Sequence, residues 1–234
     1  MKILAVGAHP DDIEFLCAGT LLKSRCRGDE VSTAVLCNGD KGHYEIGPEE
    51  LAKIRRKEAD EAAKAEGVTL VDVGLFPDLE IYSDSASRKK VVELIRKAQP
   101  DLIITHFPDD YMCDHSTAGR LVIDASFAAS LPNYRTGQPH TKAIPPVYFM
   151  DTMAAVRFQP TDYVDISDFI EEKGKALLCH QSQYKWLLEH DKIDYVEFMK
   201  QHSAFRGIQC GAKYAEAFQR YEVWGRIRPG SLLP

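Results

Sequence analysis

The chain has 234 residues, of which 44% are hydrophobic and 27% are charged, a composition typical of one folded α/β domain or two small ones. This composition excludes a disordered chain, a collagen and a coiled coil. The net charge is −6 and no run of basic residues is longer than residues 55–57, so a nucleic-acid partner is not expected.

Predicted strands and helices alternate through the N-terminal half. In chain order they are strand 2–7, helix 13–27, strand 30–37, helix 48–66, strand 70–73, helix 87–98, strand 101–106 and helix 114–130. Gly28, Gly67 and Pro100 end the first three helices. The apolar run DLIITH is typical of a parallel strand that is covered on both faces.

The C-terminal part is predicted to hold strands 147–152 and 161–165 and helices 166–184 and 214–221. The whole alternation predicts a Rossmann-like, doubly wound α/β fold, with a mostly parallel sheet and helices on both faces. Because no linker rich in Ser or Gly interrupts the pattern, residues 1–234 are predicted to form a single domain.

Several protein classes are excluded by what the sequence lacks. It has no run of about 18 apolar residues and no signal-peptide pattern, so we expect a cytoplasmic protein without a membrane span. Its six cysteines are scattered without a C-x-x-C pair, which favours reduced thiols over disulfides or a Cys-rich zinc site. The turn GAHPDD is not a G-x-G-x-x-G dinucleotide loop, and no G-x-S-x-G serine-hydrolase elbow occurs.

The loops that follow the predicted strands carry the residues suited to chemistry. The loops beginning near Gly7, Asn38, Gly74 and His106 should meet at the carboxyl edge of the sheet. The first of these loops contains an imidazole and two carboxylates in the sequence His-Pro-Asp-Asp, residues 9–12. Zinc accepts both ligand types and keeps a position open for water when three protein groups coordinate it.

A third ligand is predicted from the loop after the fourth strand. His9, Asp12 and His115 would form a set of two histidines and one carboxylate, which leaves Asp11 beside the metal as a general base for hydrolysis. The alternative is that Asp11 or Asp12 only caps the following helix, and that His115 only begins another helix. The remaining histidines, other than His180, are expected on the surface or in loops.

At these residues the sequence resembles the LmbE-like, or PIG-L, family of zinc-dependent N-acetylglucosamine deacetylases and related amidases. The resemblance runs from residue 2 to about residue 220. It rests on AHPDD, on IRRKEADEAA with Arg55 and Glu58, on FPD at 76–78, on the Asp-His pair at 114–115, and on VDIS, KALLCHQSQ and YAEAF.

The resemblance implies a single zinc ion held by His9, Asp12 and His115, with Asp11 as the general base. It implies that Arg55 and Asp78 lie near the substrate and that Asp114 orients a ligand or the base. The residues alone favour a solvated helix charge for Arg55, paired with Glu58 or Glu61, and they leave the role of Asp78 open. The sequence leaves iron, cobalt and nickel open as native metals, and His180 is expected to support the site or the core.

One position departs from the family pattern. Many members have His-Pro-Asp-His before the last ligand, and the first of these histidines stabilises the oxyanion, whereas this chain has Met112-Cys113-Asp114-His115. A thioether donates no hydrogen bond, so either Tyr111, His106 or another loop group replaces that histidine, with Tyr111 as the first candidate, or the rate is lower.

Three functions follow from these observations. The first is deacetylation of an N-acetylglucosaminyl conjugate, a small-molecule substrate. The second is hydrolysis of a non-sugar amide at the same metal, and the third is carbohydrate binding with weak catalysis. The loops 41–48, 80–87 and 133–146 are expected to select the aglycone. The resemblance also implies a homo-oligomer, with a hexamer as one possibility.

Overall fold

The computed structural model describes residues 1–226 and residue 233. Seven strands form one sheet in the order β3-β2-β1-β4-β5-β7-β6. The pairs β1·β2, β1·β4, β2·β3 and β4·β5 are parallel, whereas β7 runs antiparallel to both β5 and β6. The predicted mostly parallel α/β fold is therefore confirmed.

The elements have the following bounds. The strands are β1 Lys2–Gly7, β2 Glu30–Cys37, β3 Thr69–Phe76, β4 Leu102–Thr105, β5 Val147–Met150, β6 Asp162–Asp165 and β7 Ala215–Arg220. The helices are α1 Asp12–Leu16, α2 Ala18–Cys26, α3 Pro48–Glu66, α4 Ser85–Ala98, α5 Cys113–Ala129, α6 Ile170–Leu177, α7 Gln181–Trp186 and α8 Tyr195–Cys210. No helix in the described part of the chain is both long and apolar enough to cross a membrane.

The core lies on both faces of the sheet. Along β1, Ile3 and Ala5 belong to one buried cluster, while Leu4 and Val6 belong to another on the opposite face. Because side chains alternate along a strand, an uninterrupted apolar run fits only a strand that is covered on both sides. This requirement explains why the short apolar runs predicted the central strands correctly.

Two predictions in the N-terminal half need correction. The helix predicted at 13–27 is two helices, because Cys17 leaves helical geometry with φ −144° between α1 and α2. The third strand is longer than predicted and extends over Thr69–Phe76. It lies at the edge of the sheet, where its mixed polar and apolar residues are mostly only partly buried, so its ends lack the apolar signal on which the prediction depended.

The C-terminal prediction is wrong in three places. Residues 215–220 form β7 instead of a helix, because this segment pairs with β5 on one side and β6 on the other. The predicted helix 166–184 is interrupted between α6 and α7, and α7 continues into one π-helical turn, Leu187–Asp191. Helix α8 was not predicted, although Asp194 caps it by accepting two backbone N–H groups.

A buried carboxylate on the last strand, β7, contacts the start of α2. The carboxylate of Glu216 on β7 accepts the N–H groups of Gly19 at 2.9 Å and Thr20 at 2.7 Å, at the start of α2. It also binds the ammonium of buried Lys173. A carboxylate at a helix N-terminus satisfies backbone donors and favours the helix dipole, so this contact holds α2 in place.

Strands β1 and β4 are neighbours at the point where the strand order reverses. The loop after β1 leads into α1, and the loop after β4 leads into α5. In open α/β sheets the crevice above such a reversal is where ligands bind. The sheet thus brings residues 8–12 and 106–115 to one edge.

Candidate metal centre and cavity

A cavity of about 410 Å³ opens at this edge of the sheet. His9, Lys41, Asp78 and Met112 line it, and each comes from the loop after a different parallel strand. The predicted convergence of the loops after β1, β2, β3 and β4 is therefore observed. A cleft of this size accommodates a small molecule such as a sugar.

The turn between β1 and α1 is built for its side chains and not as a simple helix cap. Asp11 has φ 115°, in the left-handed region that is costly for a residue with a side chain, by about 1–3 kcal/mol. Its side chain makes no cap hydrogen bond. Asp12 instead turns back, and its Oδ2 accepts the N–H of His9 at 2.6 Å. The capping alternative therefore fails for both aspartates.

Three side chains in the cavity can share one metal ion. His9, Asp12 and His115 each offer a ligand atom within 4.8 Å of the other two. Nε2 of His115 lies 3.2 Å from Asp12 Oδ1, and Nδ1 of His9 lies 3.6 Å from Asp12 Oδ2. The His115 Nε2 atom is buried and has no hydrogen-bond partner in the described part of the chain. Two imidazoles and a carboxylate, with an unpartnered nitrogen among them, fit a zinc ion.

The outer nitrogens of both rings have carboxylate partners. Nδ1 of His115 lies 3.1 Å from Asp110 Oδ2, and Nε2 of His9 lies 3.1 Å from Asp114 Oδ2. Such contacts fix ring orientation and leave the inner nitrogen free for a metal. Asp114 also accepts the N–H of Leu79 at 2.8 Å, so it joins the His9 ring to the loop after β3.

The same carboxylates stabilise positive charge at this point. Burial alone would lower the pKa of His9, but hydrogen bonds with Asp114 and Asp12 raise it to about 10. Burial also opposes the shift at His115, whose pKa Asp12 and Asp110 raise to about 9. A divalent cation would meet the same attraction, and would compete with the two protons for the ring nitrogens.

His106 lies in the loop after β4, one of the two expected locations, but it is not on the surface. It is fully buried, its ring stacks on that of His115 at 4.0 Å, and its Nε2 lies 3.0 Å from Asp12 Oδ2. Burial, together with the nearby charge of His115, lowers the pKa of His106 to about 4. The ring is thus neutral near pH 7, and it forms the wall against which Asp12 and His115 pack.

Asp11 lines the cavity beside the three candidate ligands and contacts Arg55. The Arg55 Nη2 atom lies 3.4 Å from Asp11 Oδ2 and donates to Gln183 Oε1 at 2.8 Å. Arg55 is only 4% exposed, so the alternative of a solvated helix charge is wrong. Burial raises the pKa of Asp11 to about 6, although Arg55 opposes the rise. Asp11 is therefore ionised at neutral pH yet more basic than an ordinary aspartate.

Asp78 and Glu58 hold the cavity walls. Both Asp78 oxygens accept backbone N–H groups of the loop after β2, from Gly39 at 2.8 Å and from Lys41 at 3.3 Å. Glu58 on α3 accepts the backbone N–H of Ser182 at 2.7 Å and its hydroxyl at 2.6 Å, which fixes α7 beside α3. Asp78 thus shapes the loop as well as lining the cavity.

Tyr111 does not reach the cavity. Its side chain is 56% exposed and is not among the cavity-lining groups, because the chain turns inward only at Met112. The structure gives no support to Tyr111 as the replacement for the histidine missing at position 112. Tyr195 of α8 does line the cavity and is 2% exposed. Burial raises its pKa well above 10, so it remains a donor.

Some residues at the site were not predicted. Asp110, Gln183 and Tyr195 contact the candidate ligands or line the cavity. Behind the cavity, Glu14 lies 3.2 Å from His180 Nε2, which agrees with a supporting role for that histidine. The pair Asp109-Asp110 in the loop after a predicted strand was a signal for Asp110, whereas nothing near Tyr195 in the sequence pointed to the metal loop.

The chain matches a known protein family and a deacetylase of similar sequence. Residues 4–126 match the family model PIG-L, described as GlcNAc-PI de-N-acetylase. Diacetylchitobiose deacetylase of Thermococcus kodakarensis is 29% identical to the chain over 93% of its length and 82% of the relative. The matched segment contains all three candidate ligands and Asp11.

Solved structures share the fold. N,N'-diacetylchitobiose deacetylase from Pyrococcus horikoshii, solved with an inhibitor, is 28% identical and superposes with a TM-score of 0.81 over 93% of this chain and 82% of that one. A 4-carboxy-2-hydroxymuconate hydratase from Pseudomonas putida is 23% identical, with a TM-score of 0.82 over 99% of this chain and 100% of that one. The second likeness concerns the fold alone, since one fold can carry different reactions.

Proposed function

The chain belongs to the PIG-L family, and from that membership we propose that it is a zinc-dependent hydrolase that removes the N-acetyl group from an N-acetylglucosaminyl conjugate. The observation that carries the proposal is the convergence of His9, Asp12 and His115 with Asp11 in one cavity. The two deacetylases that resemble the chain over 93% of its length support the same reaction class.

Zinc would be held by His9 Nδ1, an Asp12 oxygen and His115 Nε2. Its role when bound is that of a Lewis acid, which lowers the pKa of water and polarises the acetamide carbonyl. Asp110 and Asp114 would keep the two rings oriented through their outer nitrogens.

Asp11 would act as the general base. Its carboxylate takes a proton from the attacking water as the water oxygen bonds to the acetyl carbon. It then delivers that proton to the nitrogen as the C–N bond breaks, giving acetate and a free amine. A pKa of about 6 suits both steps, because the group is ionised before the attack and acidic enough to donate afterwards.

Tyr195 would stabilise the oxyanion in place of the histidine that Met112 replaces. Tyr195 lines the cavity and its phenol can donate a hydrogen bond, whereas the Met112 thioether cannot. Such a donor is commonly worth about 100- to 1,000-fold in turnover. This group favours catalysis over the alternative of a weakly active carbohydrate-binding protein.

Arg55 and Asp78 would contact the substrate from the walls of the cavity. Both line it, and both are held by other contacts: Arg55 by Gln183, and Asp78 by the loop after β2. Groups held in this way can orient sugar hydroxyls without losing much entropy on binding.

The test combines metal content with detection of released amine. The native protein should contain one zinc per chain and release amine from N-acetylglucosamine or its conjugates. Asp11→Ala should keep the zinc and lose hydrolysis, while His115→Ala should lose the zinc. Equal zinc content and activity in both variants would overturn the assignment.

Two finer expectations stay predictions. A cytoplasmic location is one, and a homo-oligomer is the other. Size-exclusion chromatography with light scattering would test the second: a mass near 26.3 kDa would contradict it.

A further inference from the structure

A cluster of four aromatic rings lies just outside the cavity. This rim stack consists of His43, Tyr44, Trp186 and His190. Trp186 stacks on His190 at 4.3 Å with 17° between the ring planes, and Tyr44 lies 4.3 Å from Trp186 and 4.8 Å from His190. His43 completes the cluster at 5.2 Å from Trp186. The mechanism proposed above uses none of these rings.

The rim stack continues the two chain segments that form one wall of the cavity. Gly42 and Gln183 both line the cavity, and a Cβ built on Gly42 would lie 3.7 Å from Gln183 Oε1. Tyr44 follows Gly42 by two residues in the loop after β2, and Trp186 follows Gln183 by one turn of α7. A ligand that projects from the cavity past this wall therefore meets the rings.

The stack is ordered yet open to solvent. His43 Nδ1 accepts the N–H groups of Glu45 and Ile46, each at 3.1 Å, which fixes the loop around Tyr44. The Tyr44 side chain is nevertheless 76% exposed. A rigid exposed ring costs little entropy when it binds, so this arrangement is suited to stacking against a flat apolar face.

The charges of this wall favour a neutral ligand. Lys41 lies 3.3 Å from Asp40 and 3.1 Å from Glu80, so its charge has carboxylate partners. Arg55 is paired with Asp11 inside the cavity. An anionic aglycone would have to displace those carboxylates, whereas a pyranose ring offers a neutral face of C–H groups to an aromatic ring.

We propose that the rim stack is a second saccharide subsite, which binds a neutral pyranose joined to the N-acetyl sugar in the cavity by stacking on Tyr44 and Trp186. This inference rests on the proposed function for the position of the first sugar. It makes the loop after β2 and α7 the elements that select a disaccharide over a monosaccharide.

The test reads the rim stack directly through tryptophan fluorescence. The chain has two tryptophans, and Trp224 is 98% exposed, so Trp224→Phe leaves Trp186 as the reporter. In zinc-loaded protein that also carries Asp11→Asn to stop turnover, N,N'-diacetylchitobiose should change the emission saturably and N-acetylglucosamine should not.

Matched variants separate recognition from loop support. Tyr44→Ala should weaken disaccharide binding about 5- to 10-fold and leave monosaccharide binding, measured by calorimetry, unchanged. Tyr44→Phe should keep the native affinity, as should Phe127→Ala, which removes an exposed ring from α5. Equal weakening of both sugars would mean that Tyr44 only supports the loop, and an unchanged disaccharide affinity would likewise overturn the proposal.

Two further outcomes identify other occupants or a failure elsewhere. Tighter, Tyr44-dependent binding of 4-nitrophenyl N-acetylglucosaminide than of the disaccharide would replace the pyranose by an aromatic aglycone and overturn the proposal. Tyr44-dependent disaccharide binding without amine release by the native protein would refute the deacetylase and support the subsite.

Discussion

Replacement of Asp110 by alanine should weaken zinc binding although Asp110 is not itself a candidate ligand. Its Oδ2 lies 3.1 Å from His115 Nδ1, and its Oδ1 accepts the N–H of Met112 at 2.9 Å, with the side chain fully buried. It therefore fixes both the ring of His115 and the turn that precedes that ring. Alanine removes both acceptors and one negative charge close to the metal position.

The expected loss is about 10- to 100-fold in zinc affinity, the usual effect of deleting such an orienting carboxylate. This corresponds to about 1.4–2.7 kcal/mol. Asp110→Asn should lose less, because its amide oxygen can still accept from His115 while its NH₂ group faces the N–H of Met112. Asp110 also helps to raise the pKa of His115 to about 9, so its removal weakens proton competition below that pH.

Competition with a chromophoric chelator at pH 7.5 and pH 9.5 measures the affinity. The loss should be larger at pH 9.5, where His115 is mostly deprotonated in the native protein and relief of proton competition no longer offsets it. Asp109→Ala is the matched control, since that neighbour is exposed and paired with Arg120. Native affinity in Asp110→Ala at pH 9.5, or an equal loss in Asp109→Ala, would refute the reasoning.

Three more changes have defined outcomes. Tyr195→Phe should lower kcat about 100- to 1,000-fold at unchanged zinc content, whereas Tyr111→Phe should keep the native kcat; steady-state assays decide this. Burial and neighbouring carboxylates hold the pKa of Glu66 well above its usual range. Because the folded protein keeps Glu66 protonated while the unfolded chain ionises it above about pH 4.5, the free energy of unfolding falls as pH rises, by up to about 1.4 kcal/mol per pH unit. Glu66→Gln should therefore raise stability to urea at pH 8 but not at pH 4.5, and no gain at pH 8 would contradict this. Glu58→Ala should cost about 1–3 kcal/mol of unfolding free energy, because it leaves α7 donors unpaired, against less than about 0.5 kcal/mol for the exposed Glu61→Ala.

The central sheet could be predicted because burial on both faces leaves a strong local signal. The apolar runs of β1 and β4 fit covered parallel strands, and β2 is rich in β-branched residues. The HPDD turn and the Asp-His pair followed two of those strands, so topology alone brought them together. That residues 1–234 form one domain stays a prediction.

The parts that were missed depend on contacts distant in sequence. The segment AEAFQR consists largely of helix formers, yet as β7 it fills the gap between β5 and β6, where pairing on both sides outweighs local propensity. Tyr195 lines the cavity because α8 packs against Phe15 of α1, a contact for which no residue near Tyr195 in the sequence gives a sign. Asp11 and Arg55 lie together because α3 crosses above that loop.

The buried Glu216 contact has a consequence for how the protein is made. On the ribosome, His9, Asp12 and His115 all emerge in the first half of translation, but Glu216 emerges with the final strand. Until then the N–H groups at the start of α2 and the ammonium of Lys173 lack their Glu216 partner. A nascent chain therefore contains every candidate metal ligand long before Glu216 can make its contacts with α2 and Lys173.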